Sequence, residues 1–289
     1  PAAQPQPVQP AAPVIASPDI IKRDAKGEIV FYPDPLDEVA IAAFGIKPEN
    51  KAKADAVRAE RKALFDRHLT KNLKETLEIR DLTRRTATAA DPLKEIQITD
   101  LIPAKKVVMS TLLRDNLGAA GVFSAAEVEA IHKSVEAYQN AMSKDNSERS
   151  KDLPTNARFA STAWTNFRRM SIEPARETDR LLNQFADKWA SLKDEASAVA
   201  SADAAAAITK ASADLAGAKN PGARADAVEK ILRALGNDTG AKLLEKAWLP
   251  LPGNRLIPEN PVRPPSAPAA RPGAPTTPPP VQAKPVEPK

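Results

Sequence analysis

Twenty of the 28 prolines in this 289-residue chain fall in two terminal stretches, 6 in residues 1–18 and 14 in residues 250–289. Proline has no backbone N–H and its ring clashes with the preceding helical turn, so neither stretch can form a helix or an inner strand. Both read as extended, polyproline-like arms around a helix-forming middle. The expected organisation is an N-terminal arm over 1–18 and a helical region over 19–121 that includes a long basic helix at about 50–88. A helical bundle core over 122–249 and a C-terminal arm over 250–289 complete it.

The middle holds about 230 residues, enough for one large or two modest helical units. Aromatic residues make up only 4% of the chain and alanine is abundant, which favours helices packed through small side chains over a sandwich or barrel. The expected fold class is all-α. No apolar run approaches the roughly 18 residues that a membrane span requires.

Local signals place the helices. Leu36–Phe44 reads as a short helix stopped at Gly45, and Gly27–Tyr32 before it as a short strand or, preferably, an extended segment packed on helices. From Asn50 to about Thr88 there is neither Gly nor Pro, and Val57, Leu64, Phe65, Leu69, Leu73, Leu77 and Leu82 form an apolar stripe. A single rod there would be roughly 55 Å long and is a candidate for self-association. Pro92 and Pro103 suit first turns, the second opening a helix from about Ala104 to Leu117. Ser124 and Glu127 have capping-box spacing and open a helix to about Met142, followed by a polar loop over Lys144–Pro154. A helix around Phe159, Trp164 and Phe167 comes next. Pro174 then opens the strongest amphipathic stretch, with Leu181, Leu182, Phe185, Trp189, Leu192, Ala196 and Val199 on one face. Ala202–Leu215, Ala223–Leu235 and Thr239–Trp248 complete the series. Seven of the 12 aromatic residues follow residue 124, so the C-terminal half carries the stronger hydrophobic anchor.

Chemistry-bearing motifs are sparse. With no cysteine, thiolate catalysis, zinc–thiolate sites, cysteine-ligated clusters and haem attachment through C-x-x-C-H are excluded. His68 and His132, the only histidines, lack ligand spacing and read as exposed helical residues. There is no calcium-loop pattern, no G-x-S-x-G elbow and no glycine-rich phosphate loop. Asp34, Asp37 and Glu38 cluster around a turn, where carboxylates at a helix start are favoured by its dipole. No catalytic residue, metal or cofactor is expected. A carboxylate-based hydrolase would need a concave site with a strongly shifted acid.

The formal charge of +5 is concentrated. Residues 51–90 hold 11 Lys/Arg against 6 Asp/Glu, an excess equal to the whole net charge. Arg58, Arg61, Lys62, Lys71, Lys74, Arg84 and Arg85 are therefore the candidate residues for nucleic acid or another anionic polymer. Interleaved acids at helical spacing instead suggest a salt-bridged solvated face, which is the preferred reading. The Arg168–Arg169 pair near Trp164 and Phe167 suits a base or aromatic partner, or arginines snorkelling over a core.

The arms carry the stronger signal. Arg255, Pro258 and Pro261 fit R-x-x-P-x-x-P, whose three-residue period sets both prolines on one edge of a polyproline helix. Val262, Arg263, Arg271 and Val281 on this arm, and Val8, Val14 and Ile15 on the other, are further candidate contacts with partner subunits. The resulting expectation is a non-enzymatic structural or accessory subunit of a larger assembly, bound through its arms. The Gln- and Pro-rich opening suits an exported bacterial protein, periplasmic or extracellular, with Pro1 following signal cleavage or Met removal and the cytoplasm as the alternative.

Overall fold

The computed structural model describes residues 15–257, and these fold into eleven α-helices with three short 3₁₀ turns and no strand. In chain order the helices are α1 (Leu36–Phe44), α2 (Lys51–Lys71), α3 (Leu73–Thr88), α4 (Pro92–Glu95), α5 (Leu101–Val107) and α6 (Leu113–Ala119). They continue as α7 (Ala125–Ser150), α8 (Thr155–Val199), α9 (Ala202–Gly217), α10 (Pro221–Leu235) and α11 (Asn237–Leu244). The all-α expectation therefore holds. Among the described residues no helix is long and apolar enough to cross a membrane.

The segment before α1 is extended, with one isolated bridge between Arg23 and Ile29 closed around Gly27 at φ +79°. α1 ends at Gly45 as its sequence requires, at φ +88°. Ser124 and Glu127 form the expected capping box on α7. The Ser124 amide donates to Glu127 Oε2 at 2.7 Å, and the Glu127 amide to Ser124 Oγ at 3.3 Å.

Elsewhere tertiary contacts redraw the helix boundaries. The single rod expected over residues 50–88 is two helices that meet at Asn72, whose φ of −114° and ψ of 40° leave the helical region. Asn72 Nδ2 donates to His68 O at 2.9 Å and Thr76 Oγ1 to Leu69 O at 2.9 Å, so side chains take up the terminal carbonyls of α2. The helix expected over 104–117 is likewise two, α5 and α6. Between them the Thr111 carbonyl accepts from the buried Arg61 guanidinium at 2.6 Å, and the Asp37 carboxylate accepts the Arg114 amide of α6's first turn at 3.1 Å. Conversely, α7 runs through the expected loop as far as Ser150, supported by the i,i+4 pair of Asp145 and Arg149 at 3.0 Å and by Arg149 with Glu28 at 3.1 Å. Pro174 does not open a helix either. It lies buried inside the 45-residue α8, because Phe167 before it and Leu181 beyond it pack into one hydrophobic cluster and hold both halves in line.

There are two such clusters. One gathers Phe167, Leu181, Leu182, Phe185 and Trp189 of α8 with Leu73, Leu77 and Ile79 of α3 and Val228, Ile231 and Leu232 of α10. The other joins Ile20, Ile29 and Ile41 to Leu113, Leu117, Phe123, Ile131, Val135 and Tyr138. α2 serves both, giving Phe65 and Leu69 to the first and Ala54, Val57 and Leu64 to the second.

Arginine ion pairs fasten the helices to one another. Arg80 of α3 is 1% exposed, and its Nε contacts Asp179 Oδ1 at 2.6 Å, its Nη2 Asp226 Oδ1 at 2.9 Å and its Nη1 the Glu229 carboxylate, which joins α3 to α8 and α10. Arg114 pairs with Asp37, and Arg180 with Asp66 and Glu177. Burial pushes the Asp66 carboxyl up and the Arg180 hydrogen bond opposes it.

Removing the cation from the Arg80 cluster would leave Asp179 without a cation, and Asp226 and Glu229 with only the half-exposed Arg84 and Arg233. Arg80→Met is expected to cost about 3–5 kcal/mol in urea unfolding, against less than about 0.5 kcal/mol for the exposed Arg85→Ala. Ser124→Ala is expected to cost about 1 kcal/mol. The Ser124 amide holds the Glu127 carboxyl below its ordinary 4.5. The stabilisation from Glu127 is thus present above that ordinary value and is lost as pH falls through the lowered one, which unfolding curves of wild type and Glu127→Gln across acid pH would show.

Candidate functional site

Two features of the folded core are candidate sites: the roots of the arms and a cleft against α8. After η3, the 3₁₀ turn Glu245–Ala247, the chain runs back along α2. Trp248 Nε1 donates to Thr70 Oγ1 at 3.0 Å, and the Arg67 guanidinium stacks 4.7 Å from the Trp248 ring. The Leu249 amide donates to Asp66 Oδ2 at 2.8 Å. One turn and a half earlier on α2, Glu60 accepts from the Leu256 amide at 2.7 Å and from Arg255 Nε at 2.9 Å. Glu60 is 1% exposed and Ile257 2%. The extended C-terminal run, expected to begin at Pro250, is therefore packed onto the core as far as Ile257, because two buried acids of α2 need its amides and its arginine.

The N-terminal root is held in a similar way. Ser134 Oγ donates to Pro18 O at 2.6 Å and Tyr32 OH to Ile20 O at 2.7 Å. Ile20 and Ile257 belong to the same hydrophobic cluster. Of the arm residues singled out from sequence, Ile15 lies at the start of the described chain and Arg255 is engaged by Glu60. Val8, Val14, Pro258, Pro261, Val262, Arg263, Arg271 and Val281 lie outside the described residues.

The basic stretch divides. Arg61 is 4% exposed and faces inward, bound by both oxygens of Glu173 at 3.0 and 3.1 Å. Arg84 pairs with Asp226, Arg85 with Asp81 at 3.0 Å, Arg58 with Asp55 at 3.7 Å and Lys74 with Glu78 at 4.0 Å. Lys62 and Lys71 are exposed. Arg58, Lys74 and Arg85 thus form the i,i+3 and i,i+4 pairs of a salt-bridged face, while Arg61 turns inward and Arg84 pairs across to α10.

Two sequence readings need correction. His68 and His132 are half-buried, not exposed. Burial pushes the His68 imidazole down, opposed by backbone around Lys106 at the end of α5. The acids at the start of α1 are spent on arginines, Asp37 on Arg114 and Glu38 on Arg176 at 2.7 Å. Glu173 sits in a cavity of about 350 Å³ with Glu38, Arg61, Arg176 and Arg180. Burial pushes its carboxyl up and Arg61 opposes this, an arrangement that fixes α8 against α2.

The larger cavity, about 550 Å³, is enclosed by α7, the N-terminal half of α8 and residues 31–36. Its floor is aromatic. Tyr32 and Tyr138 lie 5.5 Å apart, and Tyr138 OH donates to Val30 O at 2.7 Å. The Arg168 guanidinium sits 4.1 Å from the Phe31 ring and 5.9 Å from Trp164. Its walls are polar, with amides and hydroxyls from both helices, and Asp34 is the acid among its lining residues. The Arg168–Arg169 pair was visible in the sequence, whereas Phe31 and α7 reach it only through the fold. Comparison with family models, with curated proteins and with solved structures finds no match for this chain.

The Glu60 anchorage makes a direct prediction. Glu60→Ala removes the acceptor for Leu256 and Arg255, so trypsin is expected to cut after Arg255 at least about tenfold faster than in the wild type while the helical circular dichroism persists.

Proposed function

We propose that this protein is a non-enzymatic structural or accessory subunit that joins a larger assembly, in a bacterial envelope or outside the cell, through its proline-rich terminal arms. The observation that carries the reading is the fastening of Trp248–Ile257 along α2 by Asp66 and Glu60. An arm that must transmit a hold on a neighbour needs a root that does not peel, and here the root is held by buried carboxylates and a buried isoleucine. The arm beyond it is proline-rich, which lowers the ordering entropy lost on docking. At about 3.1 Å per residue the 32 residues beyond Ile257 span up to roughly 100 Å, enough to cross a neighbouring subunit.

The charge pattern favours this reading over polymer binding, since most cations of residues 51–85 are paired with acids. Full-length protein and a version trimmed to residues 15–257, both tagged, would be purified from the native source. The full-length chain is expected to bring down stoichiometric partners and the trimmed chain, folded by circular dichroism, to lose them. Equal recovery of partners by both would overturn the proposal.

A further inference from the structure

Across the core, inward-facing arginines meet counter-charges or carbonyls, although the Arg61 Nε itself has no acceptor. Arg61, Arg80, Arg114 and Arg180 each meet one or more carboxylates, and Arg67 donates to the Ala63 and Leu249 carbonyls. Arg168 departs from this rule. It is half-buried, it stacks on Phe31 and Trp164, and among the described residues it has no carboxylate and no hydrogen-bond acceptor. Burial pushes its guanidinium down from the ordinary value, opposed by the Tyr138 phenol. A partly desolvated charge without a partner is stabilised when an anion completes it. The aromatic stacking fixes the plane of the fork while leaving its N–H edge available, which suits two-point recognition of a carboxylate or phosphate.

Two amides of the cavity wall are unspent in the same way. Gln139 of α7 and Asn166 of α8 are half-buried in its wall and make no side-chain hydrogen bond to the described protein. Asn146 uses its oxygen to accept from Ser161 Oγ, which leaves its side-chain N–H groups. Amides that both donate and accept, arrayed beside an anion-binding arginine, match a compact ligand rich in hydroxyls. The net positive C-terminal arm lacks that complementarity, with Arg263, Arg271, Lys284 and Lys289 against Glu259 and Glu287 beyond Ile257.

We propose that the cleft between α7, α8 and residues 31–36 binds a sugar-like polyhydroxylated ligand carrying one anionic group, with Arg168 holding that group and Gln139, Asn146 and Asn166 the hydroxyls. The anionic group can be a carboxylate, as in a uronic acid, or a phosphate ester. The site is separate from the arms and stands whether or not they bind a partner.

The test is calorimetric or saturation-transfer binding of glucuronate, glucose 6-phosphate, glucose and inorganic phosphate to the full chain. At least one of the two anionic sugars is expected to bind, at least about tenfold more tightly than glucose or phosphate alone. Binding of glucuronate alone would assign a carboxylate ligand, and of glucose 6-phosphate alone a phosphate ester. Arg168→Met is expected to weaken binding at least about tenfold. Ser147 is exposed on the cavity wall, so Ser147→Trp fills the mouth without touching the core and is expected to block binding even should Arg168→Met disturb the packing on Phe31. The proposal is overturned by no binding of either anionic sugar at about 10 mM. It is equally overturned by glucose or inorganic phosphate binding as tightly as the anionic sugars, or by unchanged affinity in folded Ser147→Trp.

Discussion

Neutralising buried arginine is the constraint on which this fold rests. A guanidinium cannot shed its proton to escape a desolvated site, so each arginine that faces inward must be met by carboxylates or carbonyls with matching geometry. Arg80, on α3, draws one acid from α8 and two from α10. Arg61 draws Glu173 of α8 toward α2, Arg114 draws Asp37 of α1 toward α6, and Arg180 reaches back to Asp66 of α2. Apolar contacts supply the driving force, but they are indifferent to small slides along a helix. The charge-assisted contacts set which residues face each other.

The same requirement works in reverse for buried acids. Glu60 and Asp66 lie on the inward side of α2, and the groups that satisfy them come largely from the segment after the last helix. This ties the sequence that leads into the C-terminal arm to the same helix that links both hydrophobic clusters. Force applied to that arm would be delivered to α2, which contributes to both hydrophobic clusters. Arg168 stands against this background because it is half-buried and held by aromatic contacts, yet has no counter-charge among the described residues.

Much of the helical content was legible along the chain, and the reasons are local. α1 is bounded by Pro35 and Gly45, and α7 begins at a capping box, signals contained within four or five residues. The misplaced boundaries share a different cause. Asn72, the break after Val107, the continuation of α7 to Ser150 and the burial of Pro174 within α8 each depend on partners brought in by the fold, such as Arg61 at Thr111 or Glu28 at Arg149. For the candidate sites, the cationic residues of 51–85 were visible, but that Arg61 turns inward was not, since its partner Glu173 is 112 positions away. The Arg168–Arg169 pair could be noticed in the sequence, yet nothing local predicted Phe31 beneath Arg168.

The sequence by itself therefore determined the helix-forming middle, the proline-rich ends, the absence of thiol chemistry and the clustering of positive charge, because proline geometry, cysteine count and charge are properties of residues taken singly or a turn apart. Only the tertiary structure decided which charges are spent and which remain. The interior pairs across helices join residues 77 to 149 positions apart, and burial, which sets the cost of leaving a charge unpaired, exists only once the helices have packed.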